Sequence, residues 1–294
     1  MPPQQLAPVA SAETPVVSAL SKTLVEAIDR GEPYEVLFVI VEKMAREFRR
    51  FDNQIKVRKV LQSFEEDKDT GQPLKTLFLT IPRPMLRKVA LRTVAYELSD
   101  PNSPDWEAIY EAPGPGAYFA SFSIKDRQGA GLNALEYRSA AAQLEKYRAA
   151  CATWVGKNLD DNYDQSQLSQ SEQEALTLAM KIDNQYLEEN EEWTENQHFR
   201  KPRFYDKTGG TIKNFAHVID MLERRGNTDF DHSIFQFSSP CYVGCLKDAS
   251  ESMVKHSPDS SSLRESANVW GAFLSCLAHM EFRPRVCQVP VVKC

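Results

Sequence analysis

Glycine is scarce in this chain, twelve in 294 residues, and none of the glycines falls in the Gly-x4-Gly-Lys-Ser/Thr loop or the Gly-x-Gly-x2-Gly turn that cradles nucleotide phosphates. The sequence therefore carries no nucleotide-binding fingerprint. Long apolar runs are missing as well. The most continuous is VLFVIV, Val36 to Val41, far short of the 18 or so apolar residues that span a bilayer. An excess of basic residues is also lacking: 35 Lys and Arg stand against 41 Asp and Glu, a formal charge of −6. Nonspecific nucleic-acid binding usually rests on the opposite balance. The N-terminal MPPQQLAPVASAETPVVSAL has neither the basic start nor the apolar stretch of a secretory signal. Six cysteines, mostly in the last fifth of the chain, are too sparse for a disulfide scaffold. Reduced thiols and an intracellular location, cytoplasm or nucleus, are the expectation.

The patterning that is present points to a helix-rich α+β protein with short strands near 74–81, 117–124, 233–245 and 285–292. Residues 1–16 are rich in Pro, Ala and Gln and read as a flexible tail. Residues 17–156 form an N-terminal α+β region, 157–173 a polar connection, and 174–294 a C-terminal α+β region. The number of domains, one or two, stays open. Leu20, Leu24 and Ile28 mark a first helix stopped by Gly31. A second opens at Pro33 and buries Leu37, Ile40, Val41, Met44 and Phe48, and Pro84 opens a third. At Asn133 a fourth starts, where Glu136 stands in the third position of a capping box. Tyr137, Ala140, Ala141, Leu144, Tyr147, Cys151 and Trp154 then trace one face of it down to Gly156. Later helices are expected from Glu174 to Leu187, from a cap at Thr211, and from Leu263 to Met280.

Several groups of residues are candidates for chemistry. Cys241-x3-Cys245 with Cys276-x2-His279 offers four ligands of zinc type. If CYVGC is a strand, however, its two cysteines lie roughly 13 Å apart, so no metal site is expected, and no cofactor. Cys241, Cys245 or Cys276 paired with His217, His232, His256 or His279 would suit a thiol-dependent enzyme, although no local signature ties one thiol to one imidazole. Glycines precede helix starts in RQGAGLN and in DKTGGTIKN, where exposed N–H groups favour anions. Lys207, Gly209, Gly210 and Lys213 make the second the better anion site. A basic series, Lys43, Arg46, Arg50, Lys56 and Arg58, with Arg83, Arg87, Lys88 and Arg92 beyond it, is a possible nucleic-acid face broken by Glu42, Glu47 and Asp52.

In the segment from Ser238 to His256, Tyr242-Val243-Gly244 on a strand before a helix resembles the second half of the GIY-YIG nuclease core. That resemblance implies a strand tyrosine, a helical arginine and a later glutamate, here Tyr242, Arg264 and Glu265. The upstream Gly-Ile-Tyr is replaced by His232-Ser233-Ile234, and Ser252 stands where the arginine would fall. The main expectation is therefore an intracellular binding or regulatory protein with a protein partner and no recognisable catalytic motif. A divergent nucleic-acid-processing enzyme is the alternative, and a thiol-dependent enzyme the third.

Overall fold

The computed structural model describes residues 19–51, 78–91, 93–94, 116–125, 127, 129–159, 163–187, 191–205, 210–227, 231–237, 239–246 and 269–293, with backbone alone for 45–51, 116–120, 210–213, 241–246 and 287–293. The protein is helix-rich α+β, as its patterning implies. Its elements are α1 (Ala19–Asp29), α2 (Tyr34–Phe51), α3 (Arg83–Leu91), β1 (Gly116–Ile124), α4 (Ala134–Gly156), α5 (Gln170–Asp183), α6 (Gly210–Gly226), β2 (Cys241–Leu246), α7 (Val269–His279) and β3 (Pro284–Lys293). Among the described residues, no helix is long and apolar enough to cross a membrane.

Contacts divide the chain into two compact units, each built from segments distant in sequence. The first contains the described parts of Ser123–Gln236 and Met253–Val286; the second those of Ala10–Phe122, Phe237–Ser252 and Cys287–Cys294.

In the second unit, α1, α2 and α3 close a core of Leu24, Ile28, Leu37, Ile40, Phe78, Leu86 and Leu91. Gly31 ends α1 in the left-handed conformation, φ 75°, and the donors of Gly31 and Glu32 reach back to the carbonyls of Ile28 and Ala27 at 3.0 Å. This is a Schellman closure, which glycine adopts without steric cost. Tyr34 then donates to the Ile81 carbonyl at 2.7 Å, and its ring packs edge-on against Phe78. The three strands form one sheet in the order β2-β1-β3. β1 and β2 pair antiparallel from Gly116 opposite Leu246 to Ser121 opposite Cys241. Beside that ladder the buried hydroxyls of Ser121 and Ser239 are hydrogen-bonded to each other.

In the first unit α4 is the hub, packed by α5, α6 and α7. The reason is its sequence. Tyr137, Ala140, Ala141, Leu144, Tyr147, Ala150, Cys151 and Trp154 are all buried, and its alanines let neighbours approach. Both bonds of the capping box form, Glu136 N to Asn133 Oδ1 and Asn133 N to Glu136 Oε2, each 2.9 Å. At the other end the left-handed residue is Asn158, φ 51°, and not Gly156. Asparagine tolerates that conformation through its short polar side chain.

Four sequence expectations are corrected. Phe78–Thr80, placed in a strand over 74–81, is helical, because Phe78 is needed as a plug beneath Tyr34 and Phe38. Ser233–Phe237, the first part of the strand span 233–245, is a turn followed by bent, irregular backbone. Asp231 accepts from the amide and hydroxyl of Ser233 at 2.9 and 2.6 Å, which bends the chain before Gln236 pairs with Leu132 and Gly131. Helix α5 begins at Gln170, inside the span read as a polar connection, because Ser169 and Glu172 form a second capping box. Thr211 lies within α6, which opens at Gly210. Residues 1–16 lie outside the described residues.

Candidate functional site

An open concavity lies in the first unit, along one stripe of α5. Ser169 holds the start of that helix, and Glu172 also pairs with Lys157 at 3.2 Å. The helical period then brings Gln170, Gln173, Glu174, Thr177, Leu178 and Lys181 to one face. With His279 from the end of α7 they line an open groove of about 540 Å³. Gln170 donates to Glu174 at 3.0 Å, and Gln173 donates to the Leu168 carbonyl at 3.0 Å. Partial burial lowers the His279 pKa from its ordinary value, and the Lys181 ammonium lowers it further. The imidazole is therefore neutral at neutral pH, one nitrogen donating and the other accepting. The groove contains amides, one carboxylate, one hydroxyl, one ammonium and one imidazole. It has no thiol.

Past Lys181 the groove meets an irregular loop, Glu191–Tyr205, to which Lys181 is tied by an ion pair with Glu195 at 2.8 Å. Two adjacent residues at the end of α5 hold both ends of this loop. Asn184 accepts from Trp193 N at 2.9 Å and donates to Trp193 O at 2.7 Å. Asp183 accepts from Arg203 N at 2.8 Å and from the Tyr147 hydroxyl at 2.7 Å. The Tyr147 oxygen in turn accepts from Phe204 N at 3.1 Å. The loop carries its own small core: Trp193 stacks on Phe199, donates to the His198 carbonyl at 3.0 Å, and is buried. Burial pushes the Asp183 carboxyl up to about 7, opposed by the bonds from Arg203 and Tyr147 and by the charges of Arg203 and Arg200. It also drives the Tyr147 hydroxyl well above its ordinary value. No pattern in the sequence marks this pair, because its partners are 36 residues apart in the chain.

The candidates read from the sequence are placed as follows. Tyr242 lies in β2 opposite Ala120, and Gly244 opposite Tyr118. The strand thus pairs with β1, while the His232-Ser233-Ile234 segment that would supply an upstream strand is turn. Arg264, Glu265 and His256 lie outside the described residues, as do Lys207 and Gly209. Gly210 opens α6 and Lys213 lies in its first turn. The RQGAGLN turn is filled by the protein's own anion: Glu136 receives Arg127 through two bonds of 2.7 and 2.9 Å, besides the Asn133 amide. The Arg127 guanidinium stacks on Phe235 and Phe282, 4.0 and 5.0 Å from the ring centres.

Of the basic series, Lys43 is exposed on α2, the side chains of Arg46 and Arg50 are not among those described, and Lys56, Arg58 and Arg92 lie outside the described residues. The expectation that Arg83, Arg87 and Lys88 extend a positive face is corrected. Arg83 donates to the Glu32 carbonyl at 2.6 Å, Arg87 is bidentate on Asp29, and Lys88 is buried. Cys276 is buried against the Ala140 carbonyl, its thiol pushed up to about 12 by burial. Its thiolate is thereby disfavoured, and thiolates are what attack and bind metal. Strand β2 keeps Cys241 and Cys245 at the ends of an extended stretch. His232 accepts at Nδ1 from Arg138 at 3.1 Å, and His217 is exposed on α6.

No family model matches the chain, and no curated protein or solved structure matches it significantly.

Proposed function

We propose that this chain is an intracellular binding protein that takes an extended segment of a partner polypeptide along the α5 groove. The observation that carries the reading is the lining itself. From Gln170 to Lys181 it spans about 16 Å at 1.5 Å per residue, the length of roughly five residues of extended chain. Over that length it presents amide, carboxylate, hydroxyl and ammonium groups, whose donors and acceptors beyond those already bonded within the protein suit peptide groups. Leu178 and the neutral His279 ring supply apolar contact at its side. The buried thiols of Cys151 and Cys276 are unpaired, in keeping with a reducing compartment. The groove is open, whereas a small ligand is held more naturally by a pocket that encloses it.

The test is selection from a displayed peptide library on the whole protein, repeated with Thr177→Trp, which fills the groove from a half-buried position. Peptides that bind the natural chain and lose at least about tenfold in affinity to the variant, a difference of about 1.4 kcal/mol, support the reading. Recovery of no binder, or of binders indifferent to Thr177→Trp when the variant melts at the unchanged temperature, overturns it.

A further inference from the structure

The Asp183 carboxyl occupies an unusual position. It is the last residue of α5, where the negative end of the helix dipole disfavours an anion, and it is 6% exposed. From α4 it faces the Tyr147 hydroxyl and the Cys151 thiol; from the loop it faces the Arg203 amide and the guanidinium groups of Arg203 and Arg200. From helix α6 the uncharged Phe215 ring lies 5.5 Å from that of Tyr147. The far end of the loop is fastened by Asn184 through neutral amide bonds. The two ends therefore differ: one is fixed by groups that do not titrate near neutrality, the other by a carboxyl that does.

We propose that Glu191–Tyr205 is a proton-controlled loop, docked at its Arg203–Phe204 end while Asp183 is protonated and released there when the carboxylate is charged, with Asn184 as the fixed hinge. The sign follows from desolvation. In the docked state the carboxyl holds its proton to about pH 7, whereas in a water-exposed, opened state it loses the proton near 4. Protonation therefore favours docking, fully below about pH 4, and that preference is lost as pH rises through 7. Opening should increase by more than about tenfold between pH 5 and pH 7 and level off above.

The experiment is amide hydrogen exchange on the full chain from pH 5 to 8, corrected for intrinsic rates, with the Asp183 side-chain carbon followed by NMR. The amides of Arg203 and Phe204 are the reporters, and Leu144 in the middle of α4 reports unfolding of the whole unit. Expected are faster opening at the reporters with rising pH, a midpoint shared with the Asp183 titration, and protection always weaker than at Leu144. Asp183→Asn keeps an acceptor for the Arg203 amide but cannot ionise, so it should flatten the pH dependence. Opening that is independent of pH, an Asp183 midpoint near 4, or reporters that exchange together with Leu144 would each overturn the proposal. If Asp183→Asn does not fold, the wild-type titration and exchange decide the question alone.

Discussion

Replacing Gly226 with alanine places a methyl group where the end of α6 lies against the first turns of α4. The new Cβ would lie 2.4 Å from Arg138 Cγ, 3.1 Å from the Ala134 carbonyl oxygen and 3.3 Å from Arg138 N. The first distance is well inside contact, and Cγ sits too near the backbone to swing away alone. If Arg138 stays, the crowding costs about 1 to 3 kcal/mol, as overpacked interiors do. If Arg138 turns away, it loses its bond to the Gly226 carbonyl at 2.7 Å and its bond to His232 at 3.1 Å; a charged hydrogen bond contributes roughly 1.5 to 3 kcal/mol. Alanine regains at most about 1 kcal/mol of helix propensity, and less at the last helical position. A net loss of about 1 to 2 kcal/mol remains, which at a urea slope near 2 kcal/mol/M lowers the midpoint by roughly 0.5 to 1 M. Gly156→Ala is the matched control, with nothing within 4 Å of its Cβ, and should unfold at or above the wild-type midpoint. Equal midpoints for Gly226→Ala and wild type would refute the close-approach argument. Removing the Arg138 side chain in the Gly226→Ala background should recover part of the loss, since the two sites share one contact.

Two further predictions concern burial. Trp270→Ala should cost about 3 to 5 kcal/mol in the same titration, because Trp270 is buried beside Phe273 with ring centres 6.0 Å apart; a loss below about 1 kcal/mol would show that the site collapses. Arg127→Lys should lose about 1 to 3 kcal/mol despite keeping the charge, since an ammonium cannot be bidentate on Glu136 or stack on Phe235 and Phe282 in the same way. Wild-type stability in that variant would mean that the planar fork is dispensable.

How much could be read in advance depended on whether the controlling interaction was local. The capping box at Asn133 and the apolar stripe from Tyr137 to Trp154 are short-range patterns, and both stand in the structure. The box at Ser169 and Glu172 was equally legible as Ser-x-x-Glu, but the polar residues around it read as loop. Alternation in LKTLFLTI and around Phe235 suggested strands, yet tertiary contacts outweighed it: Phe78 is needed under α2, and Asp231 bends the chain at Ser233. Strand propensity is a preference for a half-buried surface and yields where no partner strand is available. The Asp183–Tyr147 pair was invisible for a different reason: its residues meet only once α5 has packed against α4. The groove stripe from Gln170 to Lys181 is local to one helix, but only the packing of α7, which brings His279 beside it, makes it a groove.

The sheet also has a consequence for how the chain is made. β1 is complete at Ile124, but its partners are Cys241–Leu246 on one side and, on the other, a strand that begins only at Pro284. At roughly 5 to 20 residues per second, about 10 to 30 s pass between the synthesis of β1 and that of its last neighbour. One edge stays open until β2 is made and the other through the whole interval, available to any other extended chain nearby, the condition under which edge strands pair wrongly. Because α1 to α3 and much of the α4 assembly are made first, slower initiation should raise the yield of correctly folded chain by keeping nascent copies apart until that final strand arrives.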